Sequence, residues 1–438
     1  MSALARGPLA AYSLLALPLA MAALPVYVHV PKFYADTLGV PLAWVGLLLL
    51  AARLIDALQD PLLGLLSDRA SHSRFGRRVL VAAGAPLLAA GFVALFHPPE
   101  GGAVARSAWL AGSLVVVYLG FSAVSVSYYA IGAELSADYH ERTRITATRG
   151  AFGVFGILVA AAVPEWLSRE LGAQAGLARF SQLFLPLLAV CTIVMLARAP
   201  AAAVPERRRA ARWRDMFTPF ANRDFRWLMA VSVASGVAGA IPGTLILFYV
   251  ADVLQRPQYA PLFLGLYFLA GALGMPAWIA LARRYGKRGA WATGMLMAIV
   301  AFVWAFALGV GDVAEFALVC VLSGIAYGAE LALPPSMLAD VVDREAAPGH
   351  ARPDGAFFGV WQMIEKLNLA LAAGLALPLL AWLGYQPGVA QSSYAALSAM
   401  YALLPCAIKL GAVVLLWWSP LDPAAAGRGG LVRQGGIG

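Results

Sequence analysis

The feature that most constrains this chain is a succession of apolar runs, each about as long as a bilayer is thick. They fall near residues 9–31, 41–66, 79–98, 107–134, 148–168, 180–198, 226–251, 259–283, 289–311, 314–338, 355–383 and 393–419. About 20 apolar residues coil into a helix that crosses the ~30 Å hydrocarbon core. Backbone in lipid has to satisfy its own hydrogen bonds, and barrel strands need only about 10 residues, so each run reads as a helix. The expected fold is therefore an all-α membrane protein of twelve transmembrane helices. A charged content of 13%, against about 25% in soluble domains, agrees with it. No cleavable leader is expected, because the first run continues past 20 residues without a small-residue cleavage site.

Orientation follows from the 32 Lys and Arg. With the N-terminus inside, 24 of them fall in inner loops and tails. Five fall outside (Lys32, Arg106, Arg169, Arg179 and Arg256), and Arg53, Lys366 and Lys409 fall within runs. That asymmetry predicts a multi-pass protein of the plasma (inner) membrane with both termini cytoplasmic. The net charge of +9 is scattered over short loops, so the expected partners are the lipid bilayer and a small solute, with no nucleic acid. A monomer is expected. The three cysteines sit in apolar runs and imply no disulfide framework. There is no G-x-x-x-x-G-K-[ST], HExxH or CxxC, so an ATP-driven pump, a zinc site and a redox site are excluded. Neither an enzyme nor a cofactor is expected.

Organisation is read as a six-helix half over 1–198, a basic cytoplasmic linker over 199–225, a second six-helix half over 226–420 and a disordered tail over 421–438. A weak repeat supports the division. Run 2 leads into Arg74-Phe75-Gly76-Arg77-Arg78, and run 8, six later, into Arg283-Arg284-Tyr285-Gly286-Lys287-Arg288. Parallel halves with a site between them are a transporter architecture.

Charges inside the runs are the candidates for function. Arg53, Asp56 and Asp60 stand at i, i+3 and i+7 on one side of a helix. Each costs at least about 2.5 kcal/mol at the bilayer centre, which is rarely tolerated without use. Two carboxylates one turn apart do not both ionise cheaply without a cation beside them. Either Asp56 and Asp60 hold a coupling ion, as metal ligands if that ion is Na⁺ and as proton carriers if it is H⁺, or Arg53 neutralises Asp56 structurally. Lys366 is deep in run 11, where it either salt-bridges Asp56 or Asp60 across the halves or bonds a polar solute. Glu365 faces about 100° away from it. Ser122, Ser125, Ser127, Tyr128 and Tyr129 form a polar, aromatic stripe on run 4, suited to an ion shell, to stacking on a sugar ring, or to close helix packing. The inner loops carrying Arg77, Arg78, Glu141, Arg142, Asp340 and Asp343 are read as gates whose salt bridges form in one conformation and break in another.

Several stretches are similar to the glycoside–pentoside–hexuronide:cation symporters of the major facilitator superfamily. They are Ala52-Arg53-Leu54-Ile55-Asp56-Ala57-Leu58-Gln59-Asp60-Pro61 with Ser73-Arg74-Phe75-Gly76-Arg77-Arg78, and Pro31 through Gly39. Asp138 through Arg144, Met337 through Asp343 and Gln362-Met363-Ile364-Glu365-Lys366 follow in the right order, so both halves are covered. The resemblance implies a twelve-helix fold in two halves and symport of a sugar, glycoside, uronate or similar polar solute with H⁺ or Na⁺. It implies that Asp56 and Asp60 are the coupling-cation carboxylates and Ser122 a hydroxyl ligand. By the same resemblance Arg149 and Lys366 are cavity cations, and Tyr129 is a cavity aromatic. Two departures stand out. The melibiose carrier has acids on helices 1 and 4, whereas here run 1 has none and Ser125 stands at the helix-4 position. The loss of a charge tilts the expectation towards H⁺, and two cavity cations suit an anionic solute. The alternatives are a lipid or amphiphile carrier on the same fold, and a non-transporting membrane sensor.

Overall fold

Lipid offers a backbone no partner but itself, and this chain meets that condition with helices throughout. The structure, a computed structural model, describes residues 5–70, 76–136, 139–200, 218–345, 354–389 and 394–421. Most of the linker and tail, Arg74, and the side chains of Arg69 and Arg142 lie outside the described residues. Among the described residues, twelve helices are long and apolar enough to cross a membrane. They are α1 (Arg6–Thr37), α2 (Leu42–Ala70), α3 (Arg78–Phe96), α4 (Ala103–Glu134), α5 (Tyr139–Leu171) and α6 (Ala173–Arg198). The second six are α7 (Arg223–Val253), α8 (Ala260–Tyr285), α9 (Lys287–Phe306), α10 (Val313–Glu345), α11 (Asp354–Trp382) and α12 (Tyr394–Trp418). Each expected run has its helix. The helices overrun the runs where polar turns continue them, most at α5, which begins at Tyr139 rather than 148.

Packing repeats six helices on. The pairs α1/α5, α2/α4, α3/α4 and α3/α6 recur as α7/α11, α8/α10, α9/α10 and α9/α12. Close approach at the α3/α4 crossing depends on Gly120, where an added Cβ would lie 2.3 Å from the Leu88 nitrogen. Gly324 does the same at α8/α10, 2.4 Å from the Tyr267 carbonyl oxygen. Small residues let helix backbones meet without side chains between them, which is how helices associate in lipid.

A finer repeat closes α1 and α7. Both end in a π-helical turn, Phe33–Thr37 and Tyr249–Val253, each with an aspartate, Asp36 and Asp252. Tyr34 donates to the Leu95 carbonyl at the end of α3, and Tyr249 to the Ala305 carbonyl at the end of α9. The chain then turns through a left-handed residue, Gly39 (φ 68°) in the first half and Gln255 (φ 54°) in the second. Glycine adopts that conformation freely, whereas glutamine is strained there.

The halves meet along α2/α11, α5/α8 and α1/α7. Several of these contacts lie at the end of the bundle remote from the chain termini, the far face. Gly46 fits against Ala373, Leu377 and Pro378, and Gly374 against Leu50. Lys32 sits 5.3 Å over the Phe248 ring, and Tyr27 packs on Gly243. The far face is closed.

Candidate functional site

At mid-depth the α2 carboxylates converge on one ammonium. Their one-turn spacing turns both towards α11, and α4 packs alongside. Asp56 is fully buried. Its Oδ2 accepts from Arg53 Nη1 at 3.1 Å and lies 3.2 Å from Lys366 Nζ, and its Oδ1 accepts from Ser122 Oγ at 2.8 Å. Lys366 Nζ donates to Asp60 Oδ2 at 2.5 Å and to Ser122 Oγ at 2.9 Å. The Arg53 guanidinium also rests 4.2 Å over the Tyr118 ring of α4. Two cations thus face two anions, and the cluster is formally neutral. One acceptor is left over, because the buried Asp60 Oδ1 has no hydrogen-bond partner among the described residues.

The structure therefore brings together Arg53, Asp56, Asp60, Ser122 and Lys366. Ser125, one turn along α4, is buried, but it is not among the groups that hold Asp56. Arg149 and Tyr129 form a separate station. The guanidinium lies 4.7 Å over the Tyr129 ring, and Tyr129 is 44% exposed. Tyr12 stacks on Tyr128 at 4.6 Å beside them and donates to the Tyr128 carbonyl. Seven helical residues separate Tyr129 from Ser122, about 10 Å along the axis. A cation over an aromatic ring with an exposed edge can stack on and bond to a polar solute.

The bonds described for four of the expected gate residues, Arg77, Arg78, Glu141 and Asp340, lie within their own halves. Arg77 bridges Glu134 at 3.0 Å and donates to Ser67. Arg78 donates to the carbonyls of Leu196, Ala199 and Pro200. Glu141 pairs with Arg144, and Asp340 with Lys287 at 2.6 Å. Asp343 is exposed on the last turns of α10. These bonds fasten helices inside one half and do not by themselves join the halves.

Two further groups of charges are built by the fold, and only the second escaped the sequence reading. In the second half, Lys409 of α12 reaches Glu330 of α10 at 2.9 Å and Ser235 of α7 at 3.1 Å, while the Trp291 indole donates to Glu330. The site is internal, and the charges of both Glu330 and Lys409 in apolar runs were the signal for it. In the first half, His29 of α1 faces Glu165 of α5. Glu165 falls inside the run 148–168, so its charge in an apolar stretch was the available signal.

Comparison with known proteins agrees with this geometry. The chain matches the family described as MFS/sugar transport protein over residues 9–423. It is 24% identical to the inner membrane symporter YicJ of Escherichia coli (strain K12), over 86% of this chain and 83% of that one. It is 22% identical to the isoprimeverose transporter of Lactiplantibacillus pentosus, over 88% and 83%. The crystal structure of the nucleoside transporter NupG has the same fold, with a TM-score of 0.68 at 15% identity over 93% of this chain and 98% of that one. Twelve apolar helices in two packed sets, a charged mid-depth site and a whole-length family match lead to one conclusion: this chain belongs to the MFS/sugar transport protein family and is a multi-pass membrane transporter of small polar solutes, not an enzyme.

Proposed function

We propose that the protein is an importer that couples entry of a sugar, glycoside or uronate to a monovalent cation, with both termini in the cytoplasm. The observation that carries this reading is the position of Lys366 Nζ, held between Asp60, Asp56 and Ser122 by atoms from α2, α4 and α11. The ammonium occupies the place a coupled cation would take. The unpartnered Asp60 Oδ1 is the acceptor left free for an incoming cation. If it displaces Lys366, the α2 acids stay neutralised and α11 is released from α2. The freed ammonium then offers its charge to the solute, together with Arg149 over Tyr129. Na⁺ would draw on the oxygens of Asp56, Asp60 and Ser122, and a proton would settle on Asp60. Because each exchange conserves charge, it avoids leaving a lone ion in a low-dielectric interior.

The closed far face agrees with a conformation open towards the termini, the release side for an importer. Uptake into proteoliposomes tests the reading. A panel of sugars, glycosides and uronates is offered with the Na⁺ and pH gradients imposed separately. Accumulation of at least one solute under one gradient is expected; equilibration alone under both would overturn the coupling.

A further inference from the structure

His29 is 2% exposed on α1, and neither ring nitrogen has a hydrogen-bond partner among the described residues. Buried polar groups left unpaired are rare, and each calls for an explanation. One acceptor is almost in place: Glu165 Oε1 of α5 stands 3.6 Å from His29 Nε2, just beyond bonding distance. The Glu165 side chain is 19% exposed, whereas His29 is enclosed.

We propose that His29 and Glu165 form a proton-binding site on the far-face half of the bundle. A proton from water adds to the vacant ring nitrogen, and the imidazolium N–H then donates to the Glu165 carboxylate. The pair passes from one net negative charge to none, which a low-dielectric site favours. No other bond forms or breaks, and the proton leaves by the reverse step.

Its position links the site to closure. On α1, His29 lies between two residues that touch the other half, Tyr27 against Gly243 and Lys32 over Phe248. Other charges come from each neighbour. On α1 itself Lys32 pairs with Asp36 at 2.7 Å. From α5, Arg169 acts on Glu165, as does Lys32. From α7, Asp252 accepts from Tyr385, and from α6, Arg179 turns to Gln182. The α2 stretch at this depth, residues 42–50, is wholly apolar. No cation is bonded to Glu165 among the described residues, so the carboxylate is available to the imidazole. The inference goes beyond the coupling scheme and does not involve Lys366.

The test uses the full chain in nanodiscs with protons as the only ligand. The chain has five histidines, and the ¹³C imidazole signal of His29 is assigned by its loss in His29→Asn. The signal should titrate with pH, and Glu165→Gln should lower its midpoint by about one unit or more. Maleimide labelling of Leu50→Cys at the closed α2/α11 contact should follow the same midpoint and lose its pH dependence in both His29→Asn and His29→Gln. A His29 signal that does not titrate, or a midpoint unmoved by Glu165→Gln, would overturn the proposal, as would labelling whose pH dependence survives both His29 variants. Any of these failures leaves accumulation by the wild type as a separate question.

Discussion

Lys366 and Asp60 belong to different halves of the molecule, 306 residues apart, and their charged atoms lie 2.5 Å from each other. This ion pair ties α11 to α2 at mid-depth, and the ties around it differ in strength. The differences give separable predictions.

Asp56→Asn and Asp60→Asn should behave differently although the residues are one turn apart. Asp56 is the partner of buried Arg53, so its loss strands a guanidinium and costs about 3–5 kcal/mol, the range for breaking a buried pair. Asp60 is 20% exposed at its side chain, and its loss leaves Lys366 still beside Asp56. Melting in detergent should show a large drop for Asp56→Asn and a small one for Asp60→Asn.

Glu330 and Lys409 form the second buried pair, in the interior of the C-terminal half. Lys409→Met alone should destabilise by about 3–5 kcal/mol, because it strands Glu330. Adding Glu330→Gln should restore most of that loss. Thermal unfolding of the two variants and their double mutant forms the cycle that measures it.

Closure of the far face rests on absent side chains. An added Cβ at Gly46 would lie 2.8 Å from the Ala373 carbonyl oxygen and 2.8 Å from Pro378 Cδ. Gly46→Leu should therefore wedge α2 from α11, raise labelling of Leu50→Cys by roughly tenfold, equivalent to about 1.4 kcal/mol, and slow transport. Cys191, Cys320 and Cys406 are buried and should stay silent in the same assay.

The repeated turn supplies an internal control. Gln255 holds the left-handed conformation that Gly39 holds in the first half. Gln255→Gly should leave stability unchanged or raise it by up to about 1 kcal/mol, and Gly39→Gln should lower it by about 1–2 kcal/mol. Paired melting curves decide the sign.

Some of this was legible from residue order and some was not. Twelve spans could be read because lipid permits only self-satisfied helices of fixed length. Asp56, Asp60 and Lys366 were visible because charge in an apolar run is costly wherever it packs. The alternatives left open for Lys366 and Arg53 were about geometry: Lys366 turns out to face both acids, and Arg53 to pair with Asp56. Pairing at the loops was not legible: residue order does not say which opposite charge Arg77 or Asp340 meets, and the fold selects Glu134 and Lys287. His29 escaped notice because a neutral imidazole in an apolar run looks like any packed ring. Its meaning arises only where α1 crosses α5 and brings Glu165 to it. The paired turns at Asp36 and Asp252 repeat in structure more plainly than in sequence, since glycine in one is matched by glutamine in the other.

The central claim is that the α2 acids exchange Lys366 for a travelling cation. Comparing accumulation with solute exchange in proteoliposomes, for the wild type and Asp60→Asn, tests it most directly. Asp60→Asn should exchange labelled solute across the membrane at close to the wild-type rate, yet accumulate none under either a Na⁺ or a pH gradient. Accumulation by Asp60→Asn to the wild-type level would contradict the claim.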